Sequence, residues 1–404
     1  MRYAGRAFFS IGLCLALTTA FDSANLAGQL AIPKTSTLPG IQDTFFPYAS
    51  PEELGLAADP FRDLSQTVEE WVREEQIVGA EMLLVKDGRI VFHEAIGWSD
   101  KAAGVALERN SIYRIRSMTK PFTGTSIFLL KEAGELELDD PVSKYLPSWR
   151  NERSGEITIR QLLSHSGGFV QGGFAGPFQE YRGLREAVDA VGEAGPQNTP
   201  GDRYEYSDVG SATLGAIVEE ISGMPVERFI ETRILEPLGF SDTYTGFTPD
   251  APWAGRMNPT YVKANPDAPW FQYWHPSREQ QFPFFRASGG LYTTVFDYAR
   301  WLHLWMNRGT TDAGPFLSEE TAVEVLQPAM TPSYGLHWEI FSPLPEDGTL
   351  PAFGHGGSDG TLAVAMPELD AVALIFTQSR GNGVLRRFIP LARAALQPRG
   401  TIPH

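Results

Sequence analysis

Ser117 and Lys120 form the only Ser-x-x-Lys pair in the 404-residue chain. They are followed by an apolar run from Phe122 to Leu130, which predicts a helix. Because residues three apart share a helix face, the serine hydroxyl and the lysine amine can lie within hydrogen-bond distance. A helix N-terminus favours developing negative charge, so the pair suits a nucleophile and its proton acceptor. The alternative is a capping serine followed by a solvated lysine.

Tyr206 and Asp208 supply a second set of candidate groups, in the segment PGDRYEYSD at residues 200–208. A helical pattern with Leu214, Ile217 and Val218 follows directly. A tyrosine beside a lysine can have a lowered pKa and take the serine proton. Taken alone, a loop tyrosine is more often simply packed against its neighbours.

A third segment, FGHGGS at residues 353–358, precedes a strand predicted at Thr361–Met366. Its glycines would let a backbone N–H come close to a bound ligand. Residues 356–360 also spell G-x-S-x-G, the nucleophile elbow of α/β-hydrolases, which requires a strand before the serine and a helix after it. Because a strand follows here, we interpret Ser358 as a backbone donor and not as a nucleophile.

Together these segments resemble the superfamily of serine β-lactamases, D-alanyl-D-alanine carboxypeptidases and related esterases. That superfamily carries Ser-x-x-Lys, then Tyr-x-Asn, then Lys-Thr-Gly or His-x-Gly, in the order found here. The resemblance extends to ITIRQLLSHSGG at 157–168, LDDPV at 138–142 and GGLYTT at 289–294. It covers roughly residues 51–396, and the agreement of several independent segments makes it specific.

The resemblance implies a serine hydrolase that acts through a covalent acyl-enzyme on Ser117. Lys120 and Tyr206 would move the proton, and the backbone N–H groups of Ser117 and Ser358 would bind the oxyanion. The substrate-binding residues would be Asp208, His355, Gly356, Gly357 and Ser358. Small carboxylic esters or D-amino-acid peptides would be the substrates; an acyltransferase with the same nucleophile, or a weak β-lactamase, is the alternative.

Two residues depart from the family pattern. Asp208 stands where the family usually has Asn, and an ionised carboxylate cannot donate to a substrate amide. It would also repel a substrate carboxylate and keep Lys120 protonated, which favours Tyr206 as the working base. His355 stands where the β-lactamases have Lys, and a mostly neutral imidazole grips a substrate carboxylate less firmly.

Hydrophobic periodicity predicts where the helices and strands lie. The N-terminal part has a helix over 60–76 and a hairpin of 82–85 with 90–92; the middle has helices at 122–133, 158–163 and 212–221; the C-terminal part has strands at 334–341, 361–366 and 371–377 and a helix at 384–396. This order predicts an α+β fold, with an antiparallel sheet formed from both ends of the chain, flanking helices and an inserted, mainly helical subdomain.

The predicted domain organisation is a signal peptide at 1–20, a leader at 21–50 and one catalytic domain at 51–404. Within that domain the sheet subdomain spans about 51–116 and 285–404, and the helical subdomain about 117–284. Arg2 and Arg6 precede an apolar run at 7–17, which is typical of a secretory signal. The run is shorter than the ~20 residues that cross a bilayer, so we expect a secreted or periplasmic protein without stable membrane insertion after signal removal.

The net charge of −16 comes without a basic block, which argues against binding to nucleic acid. The seven histidines show no metal-ligand spacing, so we expect no metal and no cofactor. The expected partner is a small-molecule ester or peptide substrate. An aromatic-rich segment at 253–285 is either one wall of the substrate pocket or a packed loop.

Overall fold

A central antiparallel sheet organises the fold. The computed structural model describes residues 31–35, 45–278 and 282–398, so the predicted signal peptide lies outside the described residues. In the described ranges the strands are β1 (Lys34–Thr35), β2 (Gly79–Lys86), β3 (Arg89–Asp100), β4 (Val105–Ala106), β5 (Tyr113–Arg114), β6 (Thr260–Val262), β7 (Phe271–Trp274), β8 (Tyr292–Thr293), β9 (Thr310–Thr311), β10 (Gly314–Pro315), β11 (Glu339–Ile340), β12 (Phe353–Gly357), β13 (Thr361–Met366), β14 (Ala371–Thr377) and β15 (Ser379–Arg380).

The helices surround this sheet and fill the middle of the chain. Within the same described residues they are α1 (Asp59–Arg73), α2 (Lys120–Glu132), α3 (Ile159–Leu163), α4 (Leu184–Ala194), α5 (Asp208–Ser222), α6 (Val226–Ile230), α7 (Val295–Met306), α8 (Glu319–Val325) and α9 (Leu385–Leu396).

The main sheet has the strand order β1-β3-β2-β14-β13-β12-β11, with β4 paired to β3. Strand β2, from the N-terminal part, pairs antiparallel with β14, from the C-terminal part, so that Leu84 lies opposite Ala373. This pairing confirms that both ends of the chain share one sheet. Strand β1 pairs with β3 as well, so part of the predicted leader belongs to the sheet.

Alternation along the strands gives the sheet two apolar faces. Leu84 and Ile375 face the side on which α1 and α9 pack, whereas Leu83 and Leu374 face the side on which α7 packs. Helix α2 continues the second layer, because the ring of Phe122 stacks on Trp301 of α7 with centroids 4.3 Å apart. Helix α2, which directly follows the predicted nucleophile, therefore packs against the sheet layer through aromatic contacts.

The segment 334–341 forms a strand only at 339–340, which is shorter than its apolar pattern predicts. The backbone N–H of Leu336 donates to Val325 and that of His337 donates to Leu163, so these groups bond outside the sheet. His337 also has a left-handed φ of 64°, which a regular strand does not allow. No helix in the described part of the chain is long and apolar enough to cross a membrane.

Candidate active site

Ser117 lies in a tight turn at the entrance of α2. A 3₁₀ turn over Arg116–Thr119 follows β5 and runs directly into α2. Arg116 has φ of 48°, a left-handed conformation that is strained for a residue with a side chain. The turn leaves Ser117 partly exposed on a cavity of about 550 Å³. The predicted nucleophile is thus the accessible residue at the start of a buried helix.

The ammonium group of Lys120 lies behind Ser117 and is fully buried. Its Nζ is 3.5 Å from Ser117 Oγ, 2.7 Å from Asp208 Oδ1 and 3.2 Å from the carbonyl oxygen of Ser288. Burial disfavours the charged form, but Tyr206 and Asp208 outweigh burial and raise the pKa of Lys120. At neutral pH Lys120 is therefore an ammonium ion that donates to its neighbours.

Asp208 begins helix α5, one residue after its N-cap Ser207. Its Oδ1 accepts from Lys120, and its Oδ2 lies 3.1 Å from Arg286 Nη2 and 3.3 Å from Gln171 Nε2. Burial opposes ionisation, but the charges of Lys120 and Arg286 outweigh it and lower the pKa of Asp208 to about 2. Two cations, Lys120 and Arg286, thus face this carboxylate and offset its negative charge within the site.

Tyr206 completes the group around the nucleophile. Lys120 Nζ lies 4.6 Å from the centroid of its ring, and its hydroxyl interacts with Lys120 and Ser117. Burial raises the pKa of Tyr206, and these two neighbours only partly oppose the rise. Ser117, Lys120, Tyr206 and Asp208, which come from two separate parts of the sequence, therefore lie together in the structure as the sequence predicts.

Ser358 lies just after β12 and lines the same cavity as Ser117. The close approach of β12 to the nucleophile turn depends on Gly357, because a Cβ at this position would lie 2.3 Å from the carbonyl oxygen of Ile115. Strand β12 pairs antiparallel with β13 through a short turn. The G-x-S-x-G sequence is thus part of a hairpin, and no helix follows Ser358, as the elbow would require.

His355 occupies a different place from the one expected. It is 1% exposed, and it is not among the described residues that line the cavity. Its Nε2 lies 3.2 Å from the hydroxyl of Tyr334, and its Nδ1 lies 2.8 Å from the carbonyl oxygen of Gly356. Since the strand turns its ring into the interior, both ring nitrogens have protein partners, and direct contact between His355 and substrate is not supported.

The walls of the cavity contain three arginines that the sequence analysis did not single out, together with two aromatic residues of the segment at 253–285. Arg116, Arg286 and Arg380 bring positive charge to the cavity, and Tyr273 and Phe282 bring aromatic rings. The aromatic-rich segment is therefore partly a pocket wall. Trp270 and Trp274 of that segment do not line this cavity within the described residues: the Nε1 of Trp270 donates to Glu75, and Trp274 is buried.

Little in the local sequence marks the three arginines. Each is a single residue in an unrelated segment, and the fold alone brings them to one cavity. Asp359, which accepts hydrogen bonds from two of them, lies within the G-x-S-x-G sequence, and that motif gives no sign of this role. Among the described residues no group of three or more His, Cys, Asp or Glu side chains is arranged to hold a metal ion.

Comparisons with known proteins identify the family and the fold. Residues 64–397 match the family model described as Beta-lactamase. A protein of Escherichia coli (strain K12) with the provisional name D-alanyl-D-alanine carboxypeptidase is 26% identical over 366 residues, which cover 79% of this chain and 82% of that protein. Esterase EstB of Burkholderia gladioli is 28% identical over 198 residues, 44% of this chain and half of EstB.

Solved structures share the fold. The structure of EstCE1, a hydrolase with promiscuous acyltransferase activity, superposes with a TM-score of 0.70 at 20% identity, covering 84% of this chain and 98% of that one. The chain belongs to the Beta-lactamase family, because the family model spans most of its length. Relatives in this family are serine hydrolases, with esterases and carboxypeptidases among them.

Proposed function

We propose that the protein is a serine hydrolase that forms an acyl-enzyme on Ser117 and acts on small carboxylic esters, with D-amino-acid peptides as the second substrate class. The observation that carries the proposal is the placement of one accessible serine hydroxyl 3.5 Å from a buried ammonium group, at a cavity of about 550 Å³. A cavity of this size suits a small substrate.

In the proposed reaction Ser117 Oγ bonds to the substrate carbonyl carbon while its proton moves to the phenolate form of Tyr206. The oxyanion that forms would accept hydrogen bonds from the backbone N–H groups of Ser117 and Ser358. The bond to the leaving oxygen then breaks, and Tyr206 returns the proton to that oxygen. Water reverses the sequence: it gives a proton to Tyr206, attacks the acyl carbon and releases Ser117, which regains the proton.

Lys120 acts in this scheme as a fixed positive charge. Its ammonium group, paired with Asp208, favours the phenolate of Tyr206 and the negative oxygen that develops on Ser117. Because the pKa of Lys120 is raised, the neutral amine is scarce at neutral pH. The pKa of Tyr206 is raised as well, chiefly by burial, so its phenolate is also scarce at neutral pH. We assign Tyr206 as the base because the neighbouring Lys120 charge favours its phenolate, whereas Asp208 favours the protonated form of Lys120.

Acyl transfer to an alcohol is the second candidate activity. It uses the same acyl-enzyme, and EstCE1, which shares the fold, is a hydrolase with promiscuous acyltransferase activity. Product analysis with an added alcohol separates the two reactions, because transfer yields a new ester whereas hydrolysis yields only the acid.

Labelling with a fluorophosphonate tests the nucleophile. We expect intact-mass analysis to show one adduct on the wild type and on Ser358→Ala, since Ser358 acts through its backbone, and none on Ser117→Ala. An adduct that survives Ser117→Ala and disappears with Ser358→Ala would reject the proposal and restore the elbow interpretation.

A further inference from the structure

The cavity beside Ser117 concentrates positive charge in an otherwise acidic protein. Arg116, Arg286 and Arg380 line it, and Asp208 is the single carboxylate among its described lining residues. The whole chain carries a net charge of −16. A cleft whose charge is opposite to that of the rest of the protein attracts ligands of negative charge.

Two of these arginines, Arg116 and Arg380, are held in place by a buried carboxylate. Asp359, which is 2% exposed, accepts from Arg116 Nε at 2.7 Å, from Arg380 Nη1 at 3.0 Å and from the hydroxyl of Tyr273 at 2.7 Å. Arg114 Nε lies 3.6 Å from the same carboxylate. Groups held by several buried contacts keep one geometry, which is what a pre-organised binding site requires.

Each of the two carboxylates has more than one cation beside it. Asp208 faces two cations, Lys120 and Arg286, and Asp359 faces three arginines. Burial and the proximity of Arg116 lower the pKa of Arg286 in spite of its contact with Asp208. A ligand carboxylate beside Arg286 would therefore lie near two guanidinium charges.

Arg380 and Arg286 are the accessible members of the two clusters. The side chain of Arg380 is 43% exposed, and in the described contacts it donates to Asp359 through Nη1 alone. Arg286 lies with its guanidinium carbon 4.5 Å from the centroid of the Phe282 ring, and that aromatic face fixes its plane. A planar guanidinium matches the two oxygens of a carboxylate.

We propose that Arg380, together with Arg286, binds a carboxylate group of the substrate, so that the preferred substrates are esters that carry a carboxylate in the acyl or the alcohol part. This inference rests on the proposed esterase function and assigns its substrate class. It reverses the sequence-based expectation that Asp208 disfavours carboxylates, because the charge of Asp208 is already matched by Lys120 and Arg286.

Matched ester pairs test the preference. For the alcohol part, 4-acetoxybenzoate is compared with its methyl ester; for the acyl part, mono-4-nitrophenyl adipate is compared with its methyl ester. We expect kcat/KM of the wild type to favour the anionic ester in at least one pair by about 10- to 100-fold, the usual effect of a charge-assisted contact. The ratio should fall at high ionic strength, since salt screens the attraction.

Arginine variants locate the group that binds. Arg380→Gln should lower the anionic-to-neutral ratio by about tenfold or more, and Arg380→Lys should retain part of it. Arg286→Gln should lower it as well. Arg62→Gln removes the same charge from α1, which packs on the other face of the sheet, and should leave the ratio unchanged. A preference for the neutral ester in both pairs, or an unchanged ratio in both Arg380→Gln and Arg286→Gln, would overturn the inference.

Calorimetric binding of 4-acetoxybenzoate to Ser117→Ala separates this inference from the proposed function. Binding that is lost in Ser117→Ala/Arg380→Gln supports the carboxylate site even if the wild type forms no acyl-enzyme. Conversely, if neutral esters acylate Ser117 while the anionic esters show neither preference nor binding, the esterase function stands and the carboxylate site is rejected.

Discussion

Tyr334 donates a hydrogen bond from its hydroxyl to Nε2 of His355, 3.2 Å away, in the interior behind the candidate nucleophile. The direction of this hydrogen bond follows from the partner of the other nitrogen of the His355 ring. Nδ1 of His355 lies 2.8 Å from the carbonyl oxygen of Gly356, which can only accept, so Nδ1 carries the proton and Nε2 does not. Burial lowers the pKa of His355, which keeps the ring neutral.

The chain of hydrogen bonds continues to the loop that carries Tyr206. Because the hydroxyl of Tyr334 donates to His355, it accepts from Nε2 of His165 at 3.1 Å. Nδ1 of His165 then accepts from the backbone N–H of Ser207 at 3.3 Å. One directed chain thus joins strand β12, which leads to Ser358, to the residue that follows Tyr206, and it gives His355 a positioning role.

Removal of the Tyr334 hydroxyl tests this chain. Tyr334→Phe leaves two buried imidazole nitrogens without a partner, so we expect the free energy of unfolding to fall by about 1–3 kcal/mol, measured by urea denaturation. Tyr204→Phe is the matched control, since Tyr204 packs on the ring of Tyr334 and its hydroxyl has no hydrogen-bond partner among the described residues. Equal stability of Tyr334→Phe and wild type would contradict the assignment.

The acid–base residues give a second prediction, in turnover. Tyr206→Phe removes the base, and Lys120→Met removes the charge that favours its ionised form, so each should lower kcat by about 100-fold or more in an ester hydrolysis assay. Lys131→Met, on the same helix but paired with Glu324, should retain the wild-type rate. Either active-site variant with a near-normal rate would lose its assigned role in the reaction.

The pH dependence of acylation depends on Asp208. Its negative charge raises the pKa of Lys120 and contributes to the raised pKa of Tyr206, in which burial is the larger cause. A base must lose its proton before it accepts one from Ser117, so the rate rises as the pH passes the pKa of that base. Asp208→Asn should therefore move the rising limb of the kcat/KM profile to lower pH, whichever group is the base.

A surface carboxylate provides the control for this shift. Asp202 lies in the same loop and is exposed, so Asp202→Asn removes an equal charge and should leave the pH profile in place. The profile is measured with a neutral ester, so that binding of a substrate carboxylate by Arg286 and Arg380 does not affect the comparison. If the rising limb of Asp208→Asn keeps its wild-type position or moves to higher pH, Asp208 does not raise the pKa of the catalytic base.

The sequence predicts much of the sheet because its signals there are local. Strands β13 and β14 have the predicted bounds, since two uninterrupted apolar runs are separated by the turn sequence at 367–370. The hairpin of β2 and β3 follows from Asp87 and Gly88, which take the positive φ values of 49° and 67° that a two-residue turn requires.

The remaining features depend on contacts between distant segments. The residue type and its motif make His355 a candidate site residue. The side of β12 that its ring faces, however, depends on packing against Tyr334, which lies 21 residues away in the sequence. Arg286 and Arg380 follow no period, and they acquire a shared role only when Asp208 and Asp359 hold them at one cavity. Such long-range pairing is not encoded in any local pattern.

A last prediction concerns the approach of β12 to the nucleophile turn. A methyl group on Gly357 would lie 2.3 Å from both the carbonyl oxygen of Ile115 and the hydroxyl of Thr361, so Gly357→Ala must displace the strand that leads to Ser358. We expect a loss of about 1–3 kcal/mol in unfolding free energy. The acylation rate should fall by about 100-fold or more, because the oxyanion donor moves.

Gly356→Ala is the matched control for this prediction. The nearest atom to its added methyl group is the carboxylate oxygen of Glu339 at 3.5 Å, an ordinary contact distance. Both variants change one glycine of the same strand to alanine, so they share the entropic effect on the unfolded chain and differ only in the contact. Stopped-flow acylation with an activated ester should show a normal rate for Gly356→Ala. If Gly357→Ala acylates as fast as Gly356→Ala, the backbone of Ser358 does not contribute to oxyanion binding.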